Sequence, residues 1–131
     1  MSFSLARING RSLSITSAGM PPIYHYNSST KETEEIIIQG MPLGAMRKFS
    51  YNLVEKELNP GDTILFLTDG LPEQMNGNEE MYDYKRVKTC FHNNAKNAPD
   101  EIINNLVKEA DDWMQSRAQD DDISFVVIKA L

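Results

Sequence analysis

Two groups of acidic residues stand at the ends of apolar stretches. Asp69 follows the run Thr63 to Thr68 and precedes Gly70, and the triplet Asp120-Asp121-Asp122 comes directly before Ile123 to Lys129. A carboxylate at the end of a rigid strand is held in place, as a metal ligand must be. Crowded like charges repel one another unless a cation or a basic group neutralises them.

If the two apolar runs form neighbouring strands, Asp69 and one member of the triplet converge. Oxygen ligands of this kind suit Mg²⁺ or Mn²⁺, since Mg²⁺ is often held by one or two carboxylates together with water and phosphate. Taken singly, an Asp-Gly pair is more often a simple turn and an acidic triplet a solvated loop. The residues alone therefore leave two interpretations open, a divalent-metal site and plain acidic loops.

Other reactive side chains lack partners at useful spacing. His25 and His92 have no Cys or His neighbour at ligand spacing, which favours surface or strand-face positions. Cys90 is the single cysteine, so it forms no internal disulfide and no zinc site. The sequence contains no P-loop, nucleophile elbow or dinucleotide fingerprint. We therefore predict no catalytic side chain and no organic cofactor site.

Length and charge restrict the class of protein. The 131 residues suffice for about one domain, and 13 basic against 19 acidic residues give a net charge of −6. An acidic surface disfavours nucleic-acid binding through a general basic field. No apolar stretch approaches the roughly 18 residues of a membrane span, and the amino terminus lacks the pattern of a secretory signal. These features predict a reduced, soluble, cytoplasmic domain or a piece of one.

Strand signals dominate the first half of the chain. Alternating residues on both sides of Asn9-Gly10 predict a hairpin, because Asn-Gly tolerates the positive φ of a type I′ turn. Short strands are predicted at Ile23 to Tyr26, at Glu35 to Gln39 and at Thr63 to Thr68.

The second half changes to a helical period. A short helix is predicted over Asp83 to His92, and a longer one over Asp100 to Gln115, where Pro99 suits the first helical position. A closing strand follows from Ile123 to Lys129. This order predicts an α+β layered fold. The apolar stripe predicted for the long helix comprises Ile102, Ile103, Leu106, Val107, Ala110, Trp113 and Met114.

Four motifs in order carry a resemblance to a known family. They are Ser17-Ala18-Gly19-Met20-Pro21-Pro22, Met41-Pro42-Leu43-Gly44, the segment Leu58 to Glu73 with its Thr-Asp-Gly, and Asp121-Asp122-Ile123-Ser124. From about Phe3 to Lys129, the chain resembles the carboxy-terminal half of the catalytic domain of SpoIIE/RsbU-type bacterial serine phosphatases, in the metal-dependent type 2C class.

The resemblance implies an antiparallel β-sandwich flanked by helices, with a binuclear Mn²⁺ or Mg²⁺ centre at one end. By motif match, Asp69 and Asp121 are metal ligands, with Asp122 as the alternative to Asp121 if the register differs by one. The implied reaction is hydrolysis of a phosphoserine by a metal-activated water. The implied substrates are phosphorylated STAS-type anti-sigma-factor antagonists in partner-switching pathways.

The chain also departs from this family. The earlier metal ligands are expected before the Ala-Gly-x-Pro-Pro motif, yet no Asp or Glu precedes Ser17. Residues 1–131 are therefore interpreted as one partial phosphatase-like domain, truncated at its amino-terminal side and inactive in isolation. The alternative is a non-catalytic interaction module that binds a partner or its own missing half, or forms a homodimer through an exposed sheet face.

Overall fold

The computed structural model describes all residues from 1 to 131 and contains seven strands and two helices. In chain order these are β1 (Phe3–Asn9), β2 (Ser12–Ala18), β3 (Ile23–Asn27), β4 (Glu32–Ile36), β5 (Leu53–Glu57), β6 (Thr63–Leu67), α1 (Tyr84–Asn94), α2 (Pro99–Met114) and β7 (Phe125–Lys129).

The strands form two antiparallel sheets, one with the order β1-β2-β5 and one with the order β4-β3-β6-β7. One apolar cluster lies between them, where Leu13 and Ile15 of the three-stranded sheet meet Ile23, Ile36 and Ile64 of the four-stranded sheet. Both helices pack on the opposite face of the four-stranded sheet. This arrangement confirms the predicted α+β sandwich with flanking helices.

Strand β6 contributes to both cores because successive side chains of a strand point to opposite faces. Ile64 and Phe66 belong to the cluster between the sheets, whereas Leu65 and Leu67 belong to the cluster beneath the helices. The hydroxyl of Thr63, on the helix side, donates a hydrogen bond of 2.9 Å to the Ala95 carbonyl at the end of α1. Burial on both faces explains why this segment is an almost continuous apolar run.

The hairpin and the two predicted helices are present. Gly10 lies in the β1–β2 turn with φ of 59°, Asp83 caps α1 by accepting from the Arg86 amide, and Pro99 opens α2. One member of the predicted apolar stripe departs from it, because Val107 is 44% exposed. Neither helix has the length and apolar composition needed to cross a bilayer.

The bounds predicted for the strand at Glu35 to Gln39 are wrong. The strand in fact spans Glu32–Ile36, because it pairs with β3 through the tight turn at Asn27, and His25 faces Glu34 in that register. Ile37, which the apolar pattern placed inside the strand, is 64% exposed. Hairpin geometry here outweighs β-propensity.

The outer face of the three-stranded sheet has no helix over it. Leu5 and Leu53 flank Thr16 on neighbouring strands of this face. Their side chains are 56% and 62% exposed. An exposed sheet face was expected from the sequence, and here it carries large apolar side chains.

A partly buried network of polar side chains joins the two sheets. The His25 ring lies between Glu34 Oε1, 2.8 Å from Nδ1, and Asp62 Oδ2, 3.1 Å from Nε2. Lys56 of β5 donates to the same Glu34 oxygen at 2.8 Å and so connects the three-stranded sheet to the four-stranded one. His25 and Asp62 are both buried. Of the two positions predicted for His25, surface or strand face, the structure shows a buried strand position, and its partners could not be predicted.

Hydrogen bonds set the charge state of this network. Burial alone would raise the pKa of the Asp62 carboxyl, but the main-chain amides of Ser28 and Asn59, with His25, hold it below its usual value. Burial likewise opposes the ionised form of Glu34, but hydrogen bonds from Lys56 and His25 hold the pKa of its carboxyl below the usual value.

We expect Asp62→Asn to lower the free energy of unfolding at neutral pH by about 1–3 kcal/mol, because buried donors lose a charged acceptor. Folding lowers the pKa of Asp62, so its contribution is complete above the unfolded value near pH 4 and is lost as pH falls through the folded value. Urea unfolding at pH values from 7 to 3 should therefore show that the free energy of unfolding falls less toward acid in the variant than in the wild type.

The exposed Asp111→Asn is the control and should retain the wild-type pH dependence. An Asp62→Asn variant that loses stability toward acid as steeply as the wild type would contradict this account.

Candidate metal site

The carboxylates singled out in the sequence lie at one edge of the four-stranded sheet. Strands β6 and β7 pair antiparallel, and Leu67 opposite Phe125 is their last pair. The contact continues beyond it, since Thr68 N donates to Ser124 O at 3.1 Å and Ser124 N donates to Thr68 Oγ1 at 3.0 Å. The end of β6, which leads to Asp69, therefore lies beside the segment that leads from the acidic triplet into β7.

Gly70 brings the two segments into close contact. A Cβ at this position would lie 2.4 Å from the carbonyl oxygen of Asp122, which no side chain tolerates. The same carbonyl accepts a hydrogen bond of 3.1 Å from the Thr68 hydroxyl. The residues on both sides of Asp69 thus contact the main chain of the triplet, so the segment bearing Asp69 is held against the segment bearing Asp121.

The side chains of Asp69, Asp121 and Asp122 are all exposed to solvent. One oxygen of Asp121 accepts a hydrogen bond of 2.7 Å from the Asp122 amide, and its carbonyl accepts one of 2.6 Å from the Gln119 side chain. These local contacts orient the loop and leave the second carboxylate oxygen of Asp121 accessible. The structure therefore brings Asp69 and Asp121 to one accessible edge.

Asp120 differs from its two neighbours in the triplet. Its Oδ1 accepts from Arg117 at 3.0 Å, and its Oδ2 accepts from the side chain of Gln74 at 3.1 Å and from the amide of Met75 at 3.4 Å. The Arg117 hydrogen bond, with support from Met75 and Gln74, holds the pKa of this carboxyl below its usual value. Both oxygens of Asp120 are thus engaged in structural contacts. Charge pattern alone could not separate Asp120 from Asp121.

Tyr84 is a residue that the sequence did not mark. It is the first residue of α1, and its phenol pKa is raised by partial burial and by the nearby carboxylates of Glu73 and Asp69. The negative charges of Glu73 and Asp69 thus disfavour ionisation of the Tyr84 phenol. No spacing rule links positions 69 and 84, so the sequence carried no signal for this proximity.

The residues present fit one hard divalent cation. Two accessible carboxylates with water in the remaining positions is a common way to hold Mg²⁺. The structure contains no group of three or more His, Cys, Asp and Glu side chains arranged to hold a metal ion. The residues of this chain therefore do not by themselves provide the ligands that two ions require.

Comparison with known proteins shows the relationship of this chain to others. The family model described as Stage II sporulation protein E (SpoIIE) matches residues 1–131. A search of curated proteins finds no match. Among solved structures, the SiaA-PP2C domain of Pseudomonas aeruginosa is similar with a TM-score of 0.76 at 23% identity. The phosphatase domain of the cell fate determinant SpoIIE from Bacillus subtilis, presoaked with Mn, has a TM-score of 0.74 at 20% identity.

A structure of the RsbU and RsbW domains of a Mycobacterium tuberculosis protein is also similar, with a TM-score of 0.72 at 20% identity. The matches cover 92%, 98% and 98% of this chain but only 47%, 56% and 35% of the respective solved chains. The chain thus spans about half or less of the structures it resembles, which share its fold. Because the family model matches every residue, the chain belongs to the SpoIIE family.

Proposed function

We propose that the chain is part of the catalytic domain of a metal-dependent phosphoserine/phosphothreonine protein phosphatase, in which Asp69 and Asp121 hold Mn²⁺ or Mg²⁺. The observation that carries the proposal is the β6–β7 pairing, because it brings two accessible carboxylates together in a chain of this family. The proposed substrate is a phosphorylated STAS-type anti-sigma-factor antagonist. Sigma-factor regulation of this kind belongs to the cytoplasm.

Each residue at the edge has a distinct part in this proposal. The carboxylates of Asp69 and Asp121 supply negative charge to bind the cation. Gly70 and the Thr68 hydroxyl fix the distance between their two segments through the main chain of Asp122. When bound, divalent cations lower the pKa of water and neutralise charge on a phosphoryl group.

The two carboxylates do not complete a binuclear centre. We propose that the remaining ligands belong to a part of the catalytic domain outside these 131 residues. Support comes from the similar structures, of which this chain covers roughly half or less. On this proposal the isolated chain binds a metal weakly and does not catalyse hydrolysis.

Calorimetric titration of the chain with Mn²⁺ tests the proposed ligands. We expect about one ion per chain, bound weakly because water supplies most of the coordination. Asp69→Asn and Asp121→Asn should each weaken this binding at least tenfold, since an amide carries no negative charge.

Asp111→Asn on the outer surface of α2 is the matched control and should bind like the wild type. Binding that is equally strong in the wild type and in both site variants would contradict the proposed ligands and favour plain acidic loops.

A phosphoserine peptide assay tests the proposal that the isolated chain is incomplete. With Mn²⁺ present, we expect no release of phosphate above that of the Asp69→Asn variant, because the ligands for a second ion are missing. Turnover of the peptide by the purified wild-type chain that disappears in Asp69→Asn would overturn this part of the proposal.

A second candidate function is a non-catalytic interaction module. The outer face of the three-stranded sheet favours it, because Leu5 and Leu53 stand exposed on either side of Thr16 with no layer above them. Exposed apolar patches of this kind mark surfaces that contact another protein. On this proposal, the face binds a partner protein, the rest of the catalytic domain, or a second copy of the chain.

Sedimentation velocity at rising concentration tests self-association through this face. This candidate predicts a dimer that Leu53→Lys weakens at least tenfold, because a buried charge opposes association. Ile37→Lys replaces an equally exposed apolar side chain elsewhere and should leave the dimer intact. A wild-type chain that stays monomeric throughout would contradict the homodimer.

A further inference from the structure

We propose that Gln74 is a positioning residue, which fixes the separation of Asp69 and Asp121 by tying the two loops that carry them. The inference rests on the proposed metal-dependent function and adds to it a residue that touches neither ion nor substrate. No charge or sequence motif marks position 74, and the assignment comes from burial and hydrogen bonding.

The Gln74 side chain is fully buried, with a relative exposure of 0%. Its amide meets Asp120 at two points, because Nε2 donates to Asp120 Oδ2 at 3.1 Å and Oε1 accepts from the Asp120 amide at 3.0 Å. Reciprocal bonds of this kind fix both distance and orientation. Asp120 directly precedes Asp121, so the contact restrains the start of the segment that carries the second ligand.

A short, hydrogen-bonded stretch links Gln74 to Asp69. The Glu73 amide donates to the Asp69 carbonyl at 3.0 Å, and the Gln74 amide donates to the Leu71 carbonyl at 3.1 Å. These overlapping turns leave the stretch between positions 69 and 74 little freedom. A displacement at Gln74 is therefore transmitted to Asp69 over one or two turns.

The hydrogen-bonded pair of Gln74 and Asp120, called the clamp below, is itself anchored in the helical layer. The Gln74 carbonyl accepts from Trp113 Nε1 at 3.2 Å and from the Tyr82 amide at 2.9 Å. Trp113 belongs to α2, and Tyr82 lies just before α1. The clamp thus connects both loops to a rigid part of the fold, as precise ligand placement requires.

The chemistry of the position favours an amide. A methionine would fill a similar volume without forming either hydrogen bond, which leaves the Asp120 amide unpaired and removes one donor from its carboxylate. A glutamate would place a carboxylate against the carboxylate of Asp120, and like charges at this distance repel. Only an amide offers a donor to Oδ2 and an acceptor to the main-chain N–H at once.

The principal test compares Gln74→Met with the wild type by Mn²⁺ calorimetry and by amide hydrogen exchange. We expect the Mn²⁺ dissociation constant to rise about tenfold, the size seen when groups that orient metal ligands are removed. Exchange at the amides of Asp120 and Met75 should accelerate, while exchange in the core strands β3 and β6 stays slow.

Asn94→Leu is the matched control for general loss of stability. Asn94 is a half-buried amide that bonds Cys90 and Asn105 at the far end of α1. Its replacement should lower the melting temperature but leave the Mn²⁺ dissociation constant unchanged. If Gln74 only stabilised the fold, Gln74→Met and Asn94→Leu would change the Mn²⁺ dissociation constant to the same extent.

A double variant keeps the test independent of folding defects. Gln74→Glu alone should weaken Mn²⁺ binding, because it places a second carboxylate against that of Asp120 and the two repel. Combined with Asp120→Asn, it removes the repulsion between the carboxylates and restores one donor–acceptor pair of reversed polarity, so we expect tighter Mn²⁺ binding than in Gln74→Glu alone. The affinity should stay below that of the wild type, because a carboxylate at position 74 cannot donate to the Met75 carbonyl as Nε2 does. Failure of the second substitution to improve on Gln74→Glu would overturn the clamp.

The outcomes separate this inference from the proposed function. If Mn²⁺ binding depends on Asp69 but is unaffected by Gln74→Met, the positioning role is wrong and the metal site stands. If the wild type binds no Mn²⁺, the proposed function fails. Hydrogen exchange is then the remaining test of whether Gln74 holds the segment of Asp120 in place. Unchanged exchange at Asp120 and Met75 in Gln74→Met would overturn the clamp in either case.

Discussion

The antiparallel pairing of β6 with β7 is the interaction on which the rest of the structure depends. Strand β6 is buried on both faces, so its alternate side chains hold together the sandwich on one side and the helical layer on the other. The same pairing determines where the chain leaves the sheet, and Asp69 and Asp121 flank that exit. The contact between Gly70 and the Asp122 carbonyl extends the pairing into the loops and restricts how far they can separate.

Hydrogen-bond partners, more than position in the sequence, distinguish the acidic residues of this chain. Asp62 and Asp120 are each surrounded by donors and serve to hold segments together. Asp69 and Asp121 are exposed and retain free acceptor capacity. A carboxylate already satisfied by the protein gains little from a metal ion, whereas an exposed carboxylate with free acceptor capacity can still bind one. Asp120 therefore acts as an anchor beside Asp121.

Periodicity in the sequence predicted most of the fold, including the Asn9-Gly10 hairpin, the apolar strand that leads to Asp69, and the long helix that begins at Pro99. The proximity of Asp69 to the acidic triplet was also inferred, because both acidic groups adjoin apolar strands. The offset of β4 and the contacts of Gln74 and His25 were not predictable. They depend on strand register and on side-chain partners 46 and 37 positions away in the sequence, which local pattern does not encode.

Anomalous diffraction from crystals soaked with Mn²⁺ would locate a bound ion and so decide whether Asp69 and Asp121 hold it. We expect one Mn²⁺ peak where the chain leaves β6 and enters β7, with oxygens of both Asp69 and Asp121 at coordination distance. A Mn²⁺ peak elsewhere on the chain, or one that contacts neither carboxylate, would contradict this expectation.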